Sequence, residues 1–536
     1  MKLKPLALLL LATAAPLAAA DAPLTPDEAA LKAHVAFLAS DALRGREAGT
    51  PDYQVAAEYV AAEMMKAGLE PAGPNGSWFQ PVPLVTAKLL APPSVDATID
   101  GRPVPLVFGE DWTAPRSAPG QAEIDIDAPV VFAGYGVSDR AAGLDDYRGL
   151  DVRGKIVALL STGPVGPPSE VAAHLGNAVE RARTAAARGA VGIVFVRSAR
   201  APSPFASAHR NWDATSVTWV GPDGRPRDGG ARALLTFSEA GSAKLFAGSA
   251  ISYADVLAAD KAGRPVRTGP LKARLRVRAR FAIDRVASAN VVGRLPGADA
   301  KLADEHVVLS GHLDHIGVTS RPVNGDAINN GAMDNAIGIA AMLEVARAFQ
   351  KSGEPPKRSL LFAAVTAEEK GLIGSDYLAV HPLAAAKTVV ANVNLDMPLL
   401  TYRFTDLVAF GADRSTIGPA TAAVAKAEGY TLSPDPAPEQ AAFVRTDHYS
   451  FVKQGVPAVS LSPGDGGPGK AAWDVFRRDH YHLPSDEIDL PIDWAAARSF
   501  VRVNYGVTRA LANAADRPRW VRGDYFGTRF KGPMAR

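Results

Sequence analysis

The stretch "LSGHLDHIGV", Leu309–Val318, ends an apolar run with two histidines and an aspartate between them. Imidazole and carboxylate groups are costly in a protein interior unless something occupies them, so His312, Asp314 and His315 imply an occupant. Similar side chains recur downstream: Asp334 in "NNGAMDNAIG", Glu368 and Glu369 in "VTAEEKG", Asp396 in "NVNLDMP" and His482 in "RDHYHLPSDE". Imidazole nitrogen and carboxylate oxygen, without thiolate, are the donors of catalytic zinc, which keeps a place for water. Two zinc ions roughly 3.5–4 Å apart need one bridging carboxylate and a short set of terminal ligands. His312, Asp334, Glu369, Asp396 and His482 meet that need, with Asp334 as the bridge. His312 and Asp396 then serve one ion and Glu369 and His482 the other, with a bridging water at the remaining corner. Two Zn2+ per chain are expected.

Asp314 lies two residues beyond His312, on the same side if the strand persists. There it can accept the other imidazole N–H and fix the ring. His315 has the opposite parity and is expected to point away, in a surface or packing role. Glu368 and Glu369 are adjacent, so an extended backbone cannot easily direct both at one metal. Glu369 is assigned as ligand and Glu368 as the free carboxylate that acts as general base. Elsewhere, a Glu pair before a lysine is most often a solvated turn, but the position after a buried strand favours the functional reading.

Positioning these groups requires a sheet whose strands end at one edge. From about residue 283 the sequence alternates regularly between strand and helix patterns. "EHVVLSG", "RSLLFAAVTA", "TVVANVNLDM" and "PAVSLSP" read as buried strands. "NAIGIAAMLEVARAFQKSG" reads as a helix stopped by Gly353, and "PIDWAAARSFVRVNYGVTRALANAA" as a long closing helix. In open α/β sheets ligands bind beyond the carboxyl ends of the strands, where each candidate falls. Upstream, "PDEAALKAHVAFLASDAL" and "TPDYQVAAEYVAAEMMKAGLEPAG" read as helices joined by the loop "GREAG". From about 85 to 280 the chain is rich in Pro and Gly with short strand-like runs, which predicts a separate β-rich insertion.

"SGHLDHIG", "NNGAMDNAIG", "TAEEKGLIGS", "NLDM" and "YHLPSD" together resemble, in order, the motifs of the two-zinc exopeptidases of the bacterial aminopeptidase type. Glutamate carboxypeptidase II and the transferrin receptor are more distant relatives. The middle segment is similar to a protease-associated domain. The resemblance implies an α/β fold with a mixed central sheet flanked by helices and an inserted β-rich protease-associated domain. It implies metal ligands His312, Asp334, Glu369, Asp396 and His482, a catalytic base Glu368 and an orienting Asp314. It also implies hydrolysis of N-terminal residues from peptide substrates. Tyr481, beside His482, matches a tyrosine that steadies the oxyanion in relatives; packing beside the site is the plainer role. Arg445 in "RTDHYSF" matches a segment lining the substrate pocket, where it could meet a carboxylate or simply make a surface ion pair. His448 is expected to cap or pack, and His480 is left out as a ligand.

The expected organisation is a signal peptide at 1–20, an N-terminal peptidase segment at 21–115, the insertion at 116–282, the catalytic domain at 283–515 and a tail at 516–536. Lys2 and Lys4, an apolar run from Leu6 to about Ala15 and small residues before Asp21 form the secretory pattern. The run is shorter than the roughly 20 residues a spanning helix needs. With no cysteine at all, lipid attachment at the cleavage site is excluded, and a secreted or periplasmic location is expected without a membrane span in the mature chain. A net charge of +2 over 536 residues argues against a nucleic-acid partner. The rival readings are a carboxypeptidase or glutaminyl cyclase on the same fold, and an inactive binding protein on a peptidase scaffold.

Overall fold

Residues 23–114, 121–227, 232–384 and 388–536 are described by the computed structural model. The expected signal peptide and the expected boundary at 115/116 lie outside them. The strand Glu305–His312 is buried along almost its whole length, as its unbroken apolar run requires of a strand covered on both faces. It lies between parallel neighbours, Ser359–Val365 and Thr388–Asn394, and Ala458–Pro463 continues the parallel set. Antiparallel strands flank this centre. Val291–Leu295 pairs with 359–365, and Asp406–Phe410 pairs with 458–463. The sheet is therefore mixed. Its register puts His312 beside Val365 and Ser310 beside Asn394, so the three segments carrying His312, Glu368–Glu369 and Asp396 leave the sheet at one edge.

Four helices cover one face and share a single apolar core with the sheet: Pro26–Leu38, Pro51–Lys66, Ile337–Ser352 and Trp494–Asn513. Their ends follow from capping chemistry. Thr25 and Glu28 form a reciprocal capping box, and Asp493 accepts the Ala496 N–H. Gly353 closes its helix with φ +65°, a conformation that costs a residue with a side chain more.

The strand Gly269–Leu295 joins the middle segment to this sheet without a break. Its first half pairs with Ser94–Ile99 on one side and Glu123–Phe132 on the other, and its second half with Phe79–Leu89. The sequence "LKARLRVRAR" explains the first half by strict alternation. Leu271, Ala273, Leu275 and Val277 are buried. Arg274, Arg276 and Arg278 pair outside with Asp127, Asp125 and Asp96 at 2.7, 2.8 and 2.8 Å. Such exposed pairs contribute about 0–1 kcal/mol each, so the buried row is the main anchor.

The C-terminal tail docks on the same chain. Trp520 is fully buried and donates its indole N–H to the Gly455 carbonyl at 2.8 Å. His174, from the middle segment, is hydrogen bonded to the Tyr449 hydroxyl and enclosed by the rings of Tyr525, Phe526 and Phe530. Arg529 reaches Asp139 at 2.7 Å. Burial lowers the pKa of His174 from 6.5 to about 4. Between those values the unfolded chain binds a proton that the folded chain does not, so stability falls as pH drops through that window. The gap corresponds to about 3 kcal/mol. We expect His174→Gln to flatten the loss of Tm between pH 7 and 4.5 by the share of one proton, measured by thermal unfolding at both pH values. Equal slopes for the two proteins would remove His174 from this role.

Candidate metal centre

Asp334 occupies an irregular turn, Ala332–Ala336, that precedes the helix Ile337–Ser352. Three side chains hold this turn. Asp486 accepts the N–H groups of Met333 and Asp334 at 2.8 and 3.0 Å. Asn335 donates to the Leu395 carbonyl at 2.9 Å and accepts the Met397 N–H at 3.0 Å, which ties the turn to the segment carrying Asp396. Arg46, 1% exposed, donates to the carbonyls of Leu313 and Gly331 at 2.8 Å each, to Leu38 at 3.0 Å, and to Asn330. Gly331 has φ +61°, and a Cβ there would lie 2.2 Å from the Asp334 carbonyl and 2.7 Å from the His315 ring, so only glycine fits.

Around this turn the carboxylate of Asp334 is shared. Its Oδ1 lies 3.2 Å from His312 Nε2, and its Oδ2 lies 3.3 Å from His482 Nε2. His312 Nε2 is also 3.1 Å from Asp396 Oδ1, and His482 Nε2 is 3.3 Å from Glu369 Oε2. The structure thus brings His312, Asp334, Glu369, Asp396 and His482 together around the Asp334 carboxylate. Each Nε2 faces two carboxylate oxygens at nearly equal distance, although a neutral imidazole nitrogen carries at most one hydrogen. One N–H serves two acceptors poorly. A tetrahedral zinc ion with bonds of about 2.0–2.2 Å keeps its ligand atoms roughly 3.3 Å apart. The donor set and its spacing therefore fit zinc.

Glu368 is also at the centre, with a carboxylate oxygen within 4.8 Å of donor atoms of His312 and Glu369. Burial pushes its carboxyl well above the usual range, and Asp396, Asp447 and Glu369 add to this while His312 opposes it. Glu369 is held down at about 2: burial and Asp334 act against that, but hydrogen bonds from His315 and His482 prevail. For His482 burial lowers the pKa, yet hydrogen bonding to Asp334 and Glu369 raises it to about 10. The environments of the two adjacent carboxyls thus drive their pKa values in opposite directions.

Two expectations are corrected in detail. The other nitrogen of His312, Nδ1, meets the backbone carbonyl of Asp314 at 2.9 Å rather than its carboxylate. The Asp314 side chain instead accepts the N–H groups of Glu368 and Glu369 at 3.0 and 3.4 Å. It fixes the turn that aims those two residues. His315 does not point away: it is fully buried, and its Nδ1 contacts Glu369 Oε1 at 2.8 Å. Parity failed as a guide because the strand ends at His312. Tyr481 stacks on His482 with ring centroids 3.9 Å apart, and burial raises its phenol pKa. Arg445 is exposed on the cavity wall and makes no ion pair among the described residues. His448 is buried and hydrogen bonded to the Thr446 hydroxyl at 2.6 Å, and His480 Nδ1 meets the Ser485 carbonyl at 3.0 Å.

Arg46 and Asp486 also hold the site, and neither was expected from the sequence. Arg46 lies in the loop "GREAG", where a fully buried guanidinium has no local signature. Asp486 stands inside the quoted motif "YHLPSD", four residues past His482, and that proximity was the available signal. The centre opens into a cavity of about 320 Å³ with apolar walls from Met397, Val408, Phe410 and Trp473.

This architecture, a mixed α/β sheet with side chains converging beyond its parallel strands, places the protein in the zinc-exopeptidase fold class. A solved aminopeptidase from Aneurinibacillus sp. strain AM-1 shares it with a TM-score of 0.50 and 20% identity, over 91% of this chain and 95% of that one. The family is more specific. Residues 290–508 match the model of peptidase family M28. A "Probable zinc metalloprotease" of Pyrenophora teres f. teres (strain 0-1) is 36% identical over 107 residues, 20% of this chain and 22% of that protein. "Leupeptin-inactivating enzyme 1" of Streptomyces exfoliatus is 36% identical over 110 residues, again 20% of this chain and 22% of that protein. The match spans about a fifth of the length of these curated relatives.

Proposed function

We propose that this protein is an exported aminopeptidase that binds two zinc ions and releases N-terminal residues from peptides. The observation that carries the proposal is the shared carboxylate of Asp334, with one oxygen toward His312 and the other toward His482. His312, Asp334 and Asp396 would hold one ion, and Asp334, Glu369 and His482 the other, with His315 bracing Glu369. When bound, zinc polarises the scissile carbonyl and makes water a better nucleophile near neutral pH.

The protein's own groups do the rest. Glu368 accepts the proton of the attacking water and returns it to the leaving amine. Asp314 keeps the Glu368 carboxyl in place by fixing the turn. Tyr481 donates its hydroxyl hydrogen toward the oxyanion that develops. Carboxylates of Asp334, Glu368 and Asp396 line the cavity beside its apolar walls. The apolar walls suit an apolar side chain on the released residue, and the amino-terminal direction is taken from the solved aminopeptidase that shares the fold.

The middle segment is read as an inserted protease-associated module. Export rests on the lysine-led apolar stretch at residues 1–20, and no helix among the described residues is long and apolar enough to cross a membrane. The test compares leucyl-p-nitroanilide with its N-acetylated form. Hydrolysis of the free substrate alone is expected, and equal or faster cleavage of the blocked one would contradict the reading.

A further inference from the structure

The metal centre borders a second, larger cleft of about 1130 Å³, which Glu369 and His482 line but His312 and Asp396 do not. Its walls come from both parts of the chain. The middle segment supplies the start of the helix Ala178–Ala186 and the run from Arg210 to the strand Ser216–Trp219. The catalytic part supplies the hairpin Val318–Val323/Asp326–Ile328, which directly follows the His315 segment. The Arg321 guanidinium on this hairpin lies 3.5 Å from the Arg210 carbonyl, so the hairpin and the middle segment meet over the cleft.

Most charges in these walls are already matched. Lys370 pairs with Glu47 and Arg183 with Glu180, each at 2.6 Å. Arg227 and Lys453 share Asp376 at 3.3 and 2.7 Å. Among the described residues, Lys88, Arg210 and Arg321 line the cleft without a carboxylate partner, against Asp213 as an unpaired anion. A peptide whose first residue fills the 320 Å³ cavity must send the rest of its chain elsewhere, and this cleft is continuous with the centre at Glu369 and His482.

We propose that the cleft receives the peptide on the leaving side of the scissile bond and selects carboxylates there through Lys88, Arg210 and Arg321. The carboxylate is an acidic side chain or the peptide's own C-terminus. This rests on the aminopeptidase reading. Exposed charges act over about 10 Å at 0.1 M salt, so the selection weakens as salt rises.

The test measures kcat/KM for tetrapeptides with leucine first. One arm compares Asp with Lys at the third position in C-terminal amides, and the other compares free acid with amide in neutral peptides. Both series are also run N-acetylated. The expected result is a preference of about two- to fivefold for the added carboxylate in at least one arm. That ratio should fall toward one in the Lys88→Glu/Arg210→Glu/Arg321→Glu variant and at 1 M salt. The ratio within one protein cancels any loss of folded enzyme. Equal rates for each pair, or a preference that survives the triple reversal, overturn the cleft assignment and leave the aminopeptidase reading intact. A charge preference that appears only with the acetylated peptides keeps the cleft and overturns the aminopeptidase reading.

Discussion

Glu368→Gln is expected to keep its zinc and lose roughly 10²–10⁴-fold in kcat. Glutamine has nearly the same shape, and residue 368 still donates its backbone N–H to Asp314. The amide cannot take a proton from water, so the loss falls on kcat while KM changes little. The carboxyl sits where burial and the carboxylates of Asp396, Asp447 and Glu369 raise its pKa, with His312 opposing. A cation beside it pulls the pKa back down, which sets a proton affinity suited to transfer. Steady-state kinetics with leucyl-p-nitroanilide and zinc analysis of the same sample check this. A variant that keeps both zinc and full turnover would remove Glu368 from the reaction.

Asp334→Asn is the second large effect, and it differs in kind. The substitution replaces one of the two oxygens that face His312 and His482 with an amide nitrogen. Each imidazole set then lacks its common anion, so zinc content should fall from about two per chain to one or fewer. Activity should fall by about 10³-fold, as loss of several kcal/mol of Lewis-acid stabilisation implies. The backbone around residue 334 is held independently by Asp486, Asn335 and Arg46, so the fold should survive. Elemental analysis with thermal unfolding separates the two outcomes. Loss of activity with both zinc ions retained would show that Asp334 is not the shared ligand.

The contrast between the two variants follows from which features a sequence can display. His312, Glu368–Glu369 and Asp396 were legible because each ends or follows an apolar strand, and parallel strands must present their ends together; Asp334, in a turn before a helix, and His482, just past the helix Gly469–Asp479, were legible only through their motifs. The helix stop at Gly353 was legible for the same kind of local reason. His315 was misread because the two-residue period holds only while a strand lasts, and this one ends at His312. Asp314 was placed correctly at the centre but through the wrong atom: its carbonyl serves His312, and its carboxylate serves the Glu368–Glu369 turn. The helix Gly469–Asp479 was not foreseen, although five of the eleven residues of "GKAAWDVFRRD" are apolar. Arg46 was invisible, since all its partners are backbone carbonyls, which leave no trace in composition, and those of Leu313, Asn330 and Gly331 lie 267, 284 and 285 residues away. The tail became interpretable only once Trp520 and Phe526 had a surface to fill.

Zinc quantified per chain, in protein purified without added metal and again after chelation and titrated return, tests the central claim most directly. Close to two equivalents are expected, with loss of peptidase activity on chelation and recovery that completes only as the second equivalent binds. A single tightly held ion, or activity untouched by full removal of zinc, would contradict the shared-carboxylate centre at Asp334.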